Sequence, residues 1–318
     1  MHRRTFITSA LSASVFAGAT GSRLLGSSVF ALEGTPTQPT RPMALGLLIK
    51  PGRGIDETIG RVKELGFSNC FLSLDDFLGK YSPALAQQMI DVLGKNGVVV
   101  TTVEVVKPDP LKWNFLEGPS TIGIVPRATR AARVDALKQT SDFAKLLGVG
   151  RVQTHCGFIP EDPADPLYEE TVLTIRDLVK HCAANGQDFL METGQETPTT
   201  MSRMLRDVGQ QNLGVGLDTA NLILYGKANP VDAVDILGAH VMSIHAKDGR
   251  WPTDPSELGK EVAIGQGLVD FKQVFLKLKR AGYKGAVSIE RETSGPQQME
   301  DVRNEKLYLE RILAEINT

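Results

Sequence analysis

The 318-residue chain is 42% hydrophobic and 23% charged, an ordinary balance for a globular protein, with apolar residues enough for a large core. Lys+Arg and Asp+Glu nearly cancel at 35 against 37, so there is no bulk positive field to hold a nucleic-acid backbone, and a small molecule is the expected partner. Three cysteines, Cys70, Cys156 and Cys182, cannot all pair within one chain and form no CxxC, which removes a disulfide scaffold or zinc ribbon and leaves them as buried small hydrophobes.

The chain opens with MHRRTF and a mildly apolar run rich in Ala and Ser, which resembles a twin-arginine export signal spanning residues 1–31. Gly18, Gly21 and Arg23 interrupt that run below the ~20 apolar residues a membrane span needs, so no stable membrane insertion is expected after cleavage near Ala17–Ala19 or, preferably, at Ala31. Such a signal implies the export machinery as a partner and a periplasmic destination. Residues 32–42 are Pro and Thr rich and read as a linker, with folded structure over 43–318.

From Met43 onward, β-rich runs alternate with amphipathic stretches. Strands are predicted at 43–49, 69–74, 98–106, 151–155, 188–192, 213–218, 240–245 and 285–290, most of them nearly continuous apolar runs as in a sheet covered on both faces. Between them lie helical patterns such as ARVDALKQTSDFAKLLG, where Val134, Leu137, Phe143, Leu146 and Leu147 recur at helical spacing before Gly148. A glycine closes the helix-to-strand junction in KELGFSN, KNGVVV, LLGVGRV, ANGQDF and RAGYKGAV, the place for a left-handed cap. Eight evenly spaced rounds without a Gly-rich loop after the first strand favour a (β/α)8 TIM barrel over an open doubly wound sheet.

The last four predicted strands each end on a residue able to bind a metal: Glu192, Asp218, His245 and Glu290. The C-terminal strand ends of such a barrel share one face, so these four converge. Taken singly, a strand-end Asp or Glu caps a helix and a lone His is a core residue; together, three carboxylates and an imidazole suit a divalent ion, Mn²⁺ foremost, with Mg²⁺, Co²⁺ or Zn²⁺ as alternatives.

METG around Glu192, GVGLDTAN around Asp218, SIHAKD around His245 and VSIERE around Glu290 resemble the sugar phosphate isomerase/epimerase superfamily, the xylose isomerase-like barrels that include tagatose 3-epimerase and hydroxypyruvate isomerase. The resemblance implies that all four residues hold the metal and that Glu192 and Glu290 also carry protons, by α-proton transfer through an enediolate on a keto sugar. Facing carboxylates give epimerisation and same-face transfer gives aldose–ketose exchange; the sequence does not choose. His155 is either a substrate contact or proton donor, or a structural histidine. In HAKD, Lys247 is expected to bind a substrate oxygen and Asp248 to orient His245. Glu104 either lines the cavity or is an exposed rim carboxylate, and Arg291 and Glu292 read equally well as solvated. Asn221 stands where many epimerases of this group carry a histidine. Trp113, in the long stretch after the third strand, suits an apolar lid over a sugar ring, or a packed loop.

GQGLVD at 265–270 lacks the third glycine and strand context of a dinucleotide loop, so no nucleotide cofactor is expected; it reads as backbone flexibility before a helix beginning near Asp270. KLKRAGYK reads as a solvated helix face. Competing functions are a lyase, dehydratase or glycoside-cleaving enzyme using the same metal site on a keto sugar, and a non-catalytic sugar-binding module. An endonuclease needs more than five histidines of this distribution and a basic face. The sequence leaves open whether the chain forms a homo-oligomer.

Overall fold

The structure is a computed structural model that describes residues 41–52 and 54–317. The predicted export signal and most of the predicted linker lie outside the described residues. Eight parallel strands close into a barrel in the order β1-β10-β7-β6-β5-β4-β3-β2. They are β1 (Leu45–Ile49), β2 (Asn69–Ser73), β3 (Val99–Glu104), β4 (Arg151–Thr154), β5 (Asp188–Glu192), β6 (Leu213–Asp218), β7 (Val241–Ala246) and β10 (Val287–Ile289). Because β1 pairs with both β2 and β10, closure is complete and the open-sheet alternative is eliminated. Between β7 and β10 an antiparallel hairpin, β8 (Asp248–Arg250) with β9 (Lys260–Val262), rises from the barrel's C-terminal face.

Around the barrel run α1 (Ile55–Glu64), α2 (Pro83–Asn96), α4 (Arg127–Leu146), α5 (Pro166–Ala184), α6 (Pro198–Val208), α8 (Pro230–Leu237), α9 (Phe271–Arg280) and α10 (Pro296–Asn317), with single turns α3 (Gly118–Thr121) and α7 (Asn221–Leu224) in the mouth loops. A polar residue followed by proline starts four of them: Ser82-Pro83, Asp165-Pro166, Thr197-Pro198 and Asn229-Pro230. In each the polar side chain accepts a first-turn N–H and the proline sits where no N–H is needed. α9 starts beside Asp270, as the sequence predicts, and the Asp270 side chain caps it by accepting the Gln273 N–H. In α9, Phe271, Val274, Phe275 and Leu278 recur at i, i+3, i+4 and i+7 and are buried against the barrel, each contributing about 1.5–3 kcal/mol before chain entropy is subtracted. The five junction glycines, Gly66, Gly97, Gly148, Gly186 and Gly282, all adopt left-handed φ values between 64° and 84°.

Five strands are shorter than predicted; the first begins only at Leu45 and the second ends at Ser73, and the other three bear on the site. The third ends at Glu104, because residues 105–110 leave the sheet for a loop carrying two cis X-Pro bonds. The last contracts to Val287–Ile289, yet Glu290 still donates its N–H to Ala246 O at 3.0 Å, which fixes it beside β7. β4 ends at Thr154, one residue before His155. The three cysteines are free and buried, and no helix of the described residues is long and apolar enough to cross a membrane.

Candidate metal centre at the barrel mouth

Parallel register places Asp218 opposite His245 across the β6–β7 pair, with Glu192 ending β5 and Glu290 following β10. The four side chains are nearly fully buried, and one ligand atom from each falls within 4.8 Å of the others. His245 Nδ1 is the hub, 3.0 Å from Glu290 Oε2, 3.2 Å from Glu192 Oε1 and 3.9 Å from Asp218 Oδ2. Phe71 stands edge-on to the imidazole with centroids 4.3 Å apart and closes the floor.

Each candidate ligand is oriented from behind. Asp218 Oδ1 accepts the N–H groups of Ala220 and Asn221 at 2.8 and 2.7 Å, the helix-capping role expected of a strand-end Asp, but its Oδ2 is buried without a partner. Thr193 Oγ1 accepts from Asp218 N and donates to Asp218 O, tying β5 to β6. Gln153 Nε2 donates to Glu192 Oε2 at 3.0 Å, while Gln153 Oε1 accepts from Ser243 Oγ. A side chain at Gly216 would occupy that glutamine's position, since a Cβ there would lie 2.1 Å from Gln153 Oε1.

Electrostatics test whether a cation fits. Three buried carboxylates surround one imidazole; Asp218 Oδ2 and His245 Nε2 have no hydrogen-bond partner, and Glu290 Oε2 meets only His245 Nδ1. Burial opposes charge on all of them. It pushes Asp218 well above the carboxylate range, whereas Glu192 is held down to about 2 because His155 and His245 outweigh burial. Lys247 and His245 hold Glu290 well below its ordinary value against the same burial. His245 is raised well above its usual value, the two glutamates overcoming desolvation. A divalent cation bound by all four would satisfy the orphaned Asp218 oxygen and neutralise the excess of negative charge, so the residues fit a metal.

Above this floor lies a cavity of about 190 Å³ lined by Lys50, Glu104, Trp113, His155, Asn221, Lys247 and Glu290, among others. Of the four candidate ligands, Glu290 alone lines it. Lys247, 3% exposed, places Nζ 3.5 Å from Glu290 Oε1 and 3.1 Å from Glu292 Oε2. His155 Nε2 is 3.4 Å from Glu192 Oε1, and its Nδ1 meets Gln195, whose amide also donates to Tyr225 Oη. Asn221 Nδ2 donates to Glu192 Oε1 at 3.3 Å, so the residue at that position contacts a ligand. Trp113 stands edge-on to His155 at 5.0 Å between centroids.

Several expectations are corrected. Glu104 is 6% exposed and faces the cavity, within 4.8 Å of His155 and Glu192, so it is not a rim carboxylate. Asp248 does not orient His245; its carboxylate accepts four amides, from Gly249, Val269, Gly265 and Gly267, and folds the 263–269 loop around itself. That loop is therefore anchored. Arg291 is not solvated but sits between Glu261 and Asp301, at 2.5 and 2.8 Å. Lys50, Gln153 and Gln195 are site residues that local patterning missed. Lys50 could have been found, since it directly follows β1 as Glu290 follows β10.

A closed (β/α)8 barrel with an acidic–imidazole centre at its C-terminal mouth defines a class of metal-capable α/β-barrel proteins. Residues 59–312 match the xylose isomerase-like TIM barrel family, and the chain belongs to that family. Among solved structures, a xylose isomerase domain protein from Planctomyces limnophilus is 30% identical with a TM-score of 0.82, covering 87% of this chain and 99% of that one. A D-psicose 3-epimerase solved in the presence of D-fructose (18% identity, TM-score 0.65, 85% and 99% coverage) shares the fold. So does a xylose isomerase-like TIM barrel protein from Mycobacterium smegmatis in complex with magnesium (18%, 0.65, 88% and 98%). The curated relatives are the uncharacterized proteins MJ1311 of Methanocaldococcus jannaschii (26% identity, 51% of this chain) and YfiH of Bacillus subtilis (32%, 50% of this chain), and the matches span 57% and 64% of their lengths.

Proposed function

We propose that this chain is a divalent-metal-dependent sugar isomerase or epimerase that moves a proton α to the carbonyl of a keto sugar or sugar derivative through an enediolate. The observation that carries the reading is the cavity-facing Glu290 carboxylate beside Lys247, directly above three further residues fit to hold a metal. When bound, a divalent cation supplies positive charge to the carbonyl and neighbouring hydroxyl oxygens as negative charge develops there. Glu290 takes the α proton at its cavity face, and the Lys247 ammonium keeps that carboxylate ionised in readiness. Glu192, fixed by Gln153 and Asn221, is the second carboxylate; given a proton by neighbouring His155, it passes that proton to the carbon while Glu290 keeps the one it removed. Trp113 covers the sugar ring, and Asn221 and Lys247 bind its oxygens.

A second reading, elimination of a β substituent from a keto sugar, is favoured by one observation. Glu104 and His155 share the cavity with Glu290 and offer a further proton donor for a leaving group. The magnesium-bound relative supports a hard divalent ion, and Mn²⁺ is our choice. Export by the twin-arginine route to the periplasm belongs to the same proposal, because that route carries proteins already folded around a cofactor; fractionation of cells with Arg3 and Arg4 changed to Lys tests it.

The functional test is incubation of the Mn²⁺-loaded protein with a panel of keto sugars in D₂O. Deuterium should enter an α carbon without loss of water or an aglycone, and the exchange should vanish in Glu290→Gln and Glu192→Gln. Exchange undiminished in both variants would remove the proposal; loss of water or an aglycone would transfer it to the second reading.

A further inference from the structure

The loop over residues 105–126 carries Trp113 over the cavity and has almost no regular structure beyond the single turn α3. One side chain holds its two ends together. Arg133, on α4 and 2% exposed, donates from Nη2 to Pro110 O at 2.7 Å and Pro108 O at 3.1 Å, and from Nη1 to Gly123 O at 2.7 Å and its own helix's Thr129 Oγ1 at 2.9 Å. Nε adds a longer bond to Pro108 O at 3.3 Å. The hydrogen-bond acceptors are thus all neutral oxygens, three of them peptide carbonyls from the entry and exit of one loop. Burying a guanidinium is costly unless its donors are satisfied, and here the loop's backbone does that.

The exit of the loop is also strapped to the segment after β4 that carries His155. Ile124 donates to Cys156 O at 2.8 Å, and Gly123, at φ 72°, lies so close that a Cβ there would be 2.1 Å from the same carbonyl. At its apex the loop crosses the mouth: Phe115 N donates to Ser256 O at 3.0 Å, Asn114 forms a β-bridge with Glu257, and the Phe115 ring meets Tyr225. Trp113 lies between the anchored ends and the apex, edge-on to His155.

We propose that Arg133 is a positioning residue: its guanidinium fork fixes the loop ends so that Trp113 roofs the cavity and packs on His155, although Arg133 itself does not line the cavity. A lysine cannot replace it, because one ammonium on a flexible stem cannot reach carbonyls on both ends in fixed directions. The placement of Trp113 stands independently of the proposed reaction; only the consequence for sugar affinity rests on it.

The test uses the full chain in a Trp251→Phe background, where Trp113 is the one indole of the two in the sequence that remains. Arg133→Lys should raise the acrylamide quenching constant of Trp113 at least about twofold and shift its emission to the red, with the far-UV spectrum and bound metal unchanged. For any sugar turned over, KM should rise as it does in Trp113→Ala, kcat should change little, and the double variant should be no worse than Trp113→Ala alone. Gly123→Ala leaves Arg133 intact but displaces the loop's exit from it, so it should raise the same constant. An unchanged Trp113 quenching constant in folded Arg133→Lys, or in Gly123→Ala should the first variant not fold, overturns the proposal. Quenching that rises while no sugar is turned over upholds the positioning role and counts against the proposed reaction alone.

Discussion

Replacing Asp218 by Asn should stabilise the metal-free protein and lose most of that advantage over the parent once metal is bound. The amide keeps the oxygen that accepts from Ala220 and Asn221, and removes charge only at the oxygen that has no partner. Desolvating a buried carboxylate costs several kcal/mol. Glu290 and Glu192, within 4.8 Å, oppose its charge further, and Lys247 and His245 offset part of that. The net cost relieved is of order 3 kcal/mol, which for a domain of this size raises Tm by about 5 °C in chelator. In Mn²⁺ at a hundred times Kd the parent gains ~2.7 kcal/mol, and the variant, lacking one anionic ligand, gains far less. Differential scanning fluorimetry with EDTA and then with Mn²⁺ should show the order of melting temperatures narrowing or reversing. A variant that melts below the parent in both conditions, with no metal response in the parent, would refute the reasoning.

Three further outcomes follow from individual contacts. Glu196 is buried with Oε1 unpartnered, and burial pushes its carboxyl up to about 8. Its folded pKa exceeds the unfolded one, so the unfolded state releases this proton first, and stability falls between about pH 4.5 and 8 and is level beyond. Glu196→Gln should therefore match the parent near pH 4 and exceed it by roughly 4 kcal/mol at pH 8 in urea titrations. Asp248→Asn places an NH₂ against amides that now donate to a carboxylate; a loss of about 3 kcal/mol and faster hydrogen exchange over 265–269 are expected. Lys247→Met removes the cation between Glu290 and Glu292, so exchange into substrate should fall about 10²-fold and the acid limb of its pH profile should move upward, while bound metal stays constant.

What the sequence disclosed was whatever repeats or sits at a strand end. Gly66, Gly97, Gly148, Gly186 and Gly282 mark helix endings because the left-handed cap is a local demand. Glu192, Asp218, His245 and Glu290 could be assembled on paper because parallel strands bring their ends to one face. Contacts that cross the barrel leave no such trace. Gln153 reaches Glu192 from the middle of a neighbouring strand, 39 residues away. Glu104 was ambiguous because its apolar run continues past the strand end, hiding that the chain turns there and leaves the carboxylate inside. Asp248 was misread because its four amide donors come from a loop whose glycines suggested flexibility. Nothing local marks Arg133 within the run ARVDALKQTSDFAKLLG, and only the loop wrapped around it explains its burial.

Elemental analysis after expression with supplemented Mn²⁺ and desalting tests the metal centre most directly. One divalent ion per chain should remain on the parent and be lost from Asp218→Asn and Glu290→Gln, whereas a metal-free parent, or equal metal on parent and variants, would contradict the account.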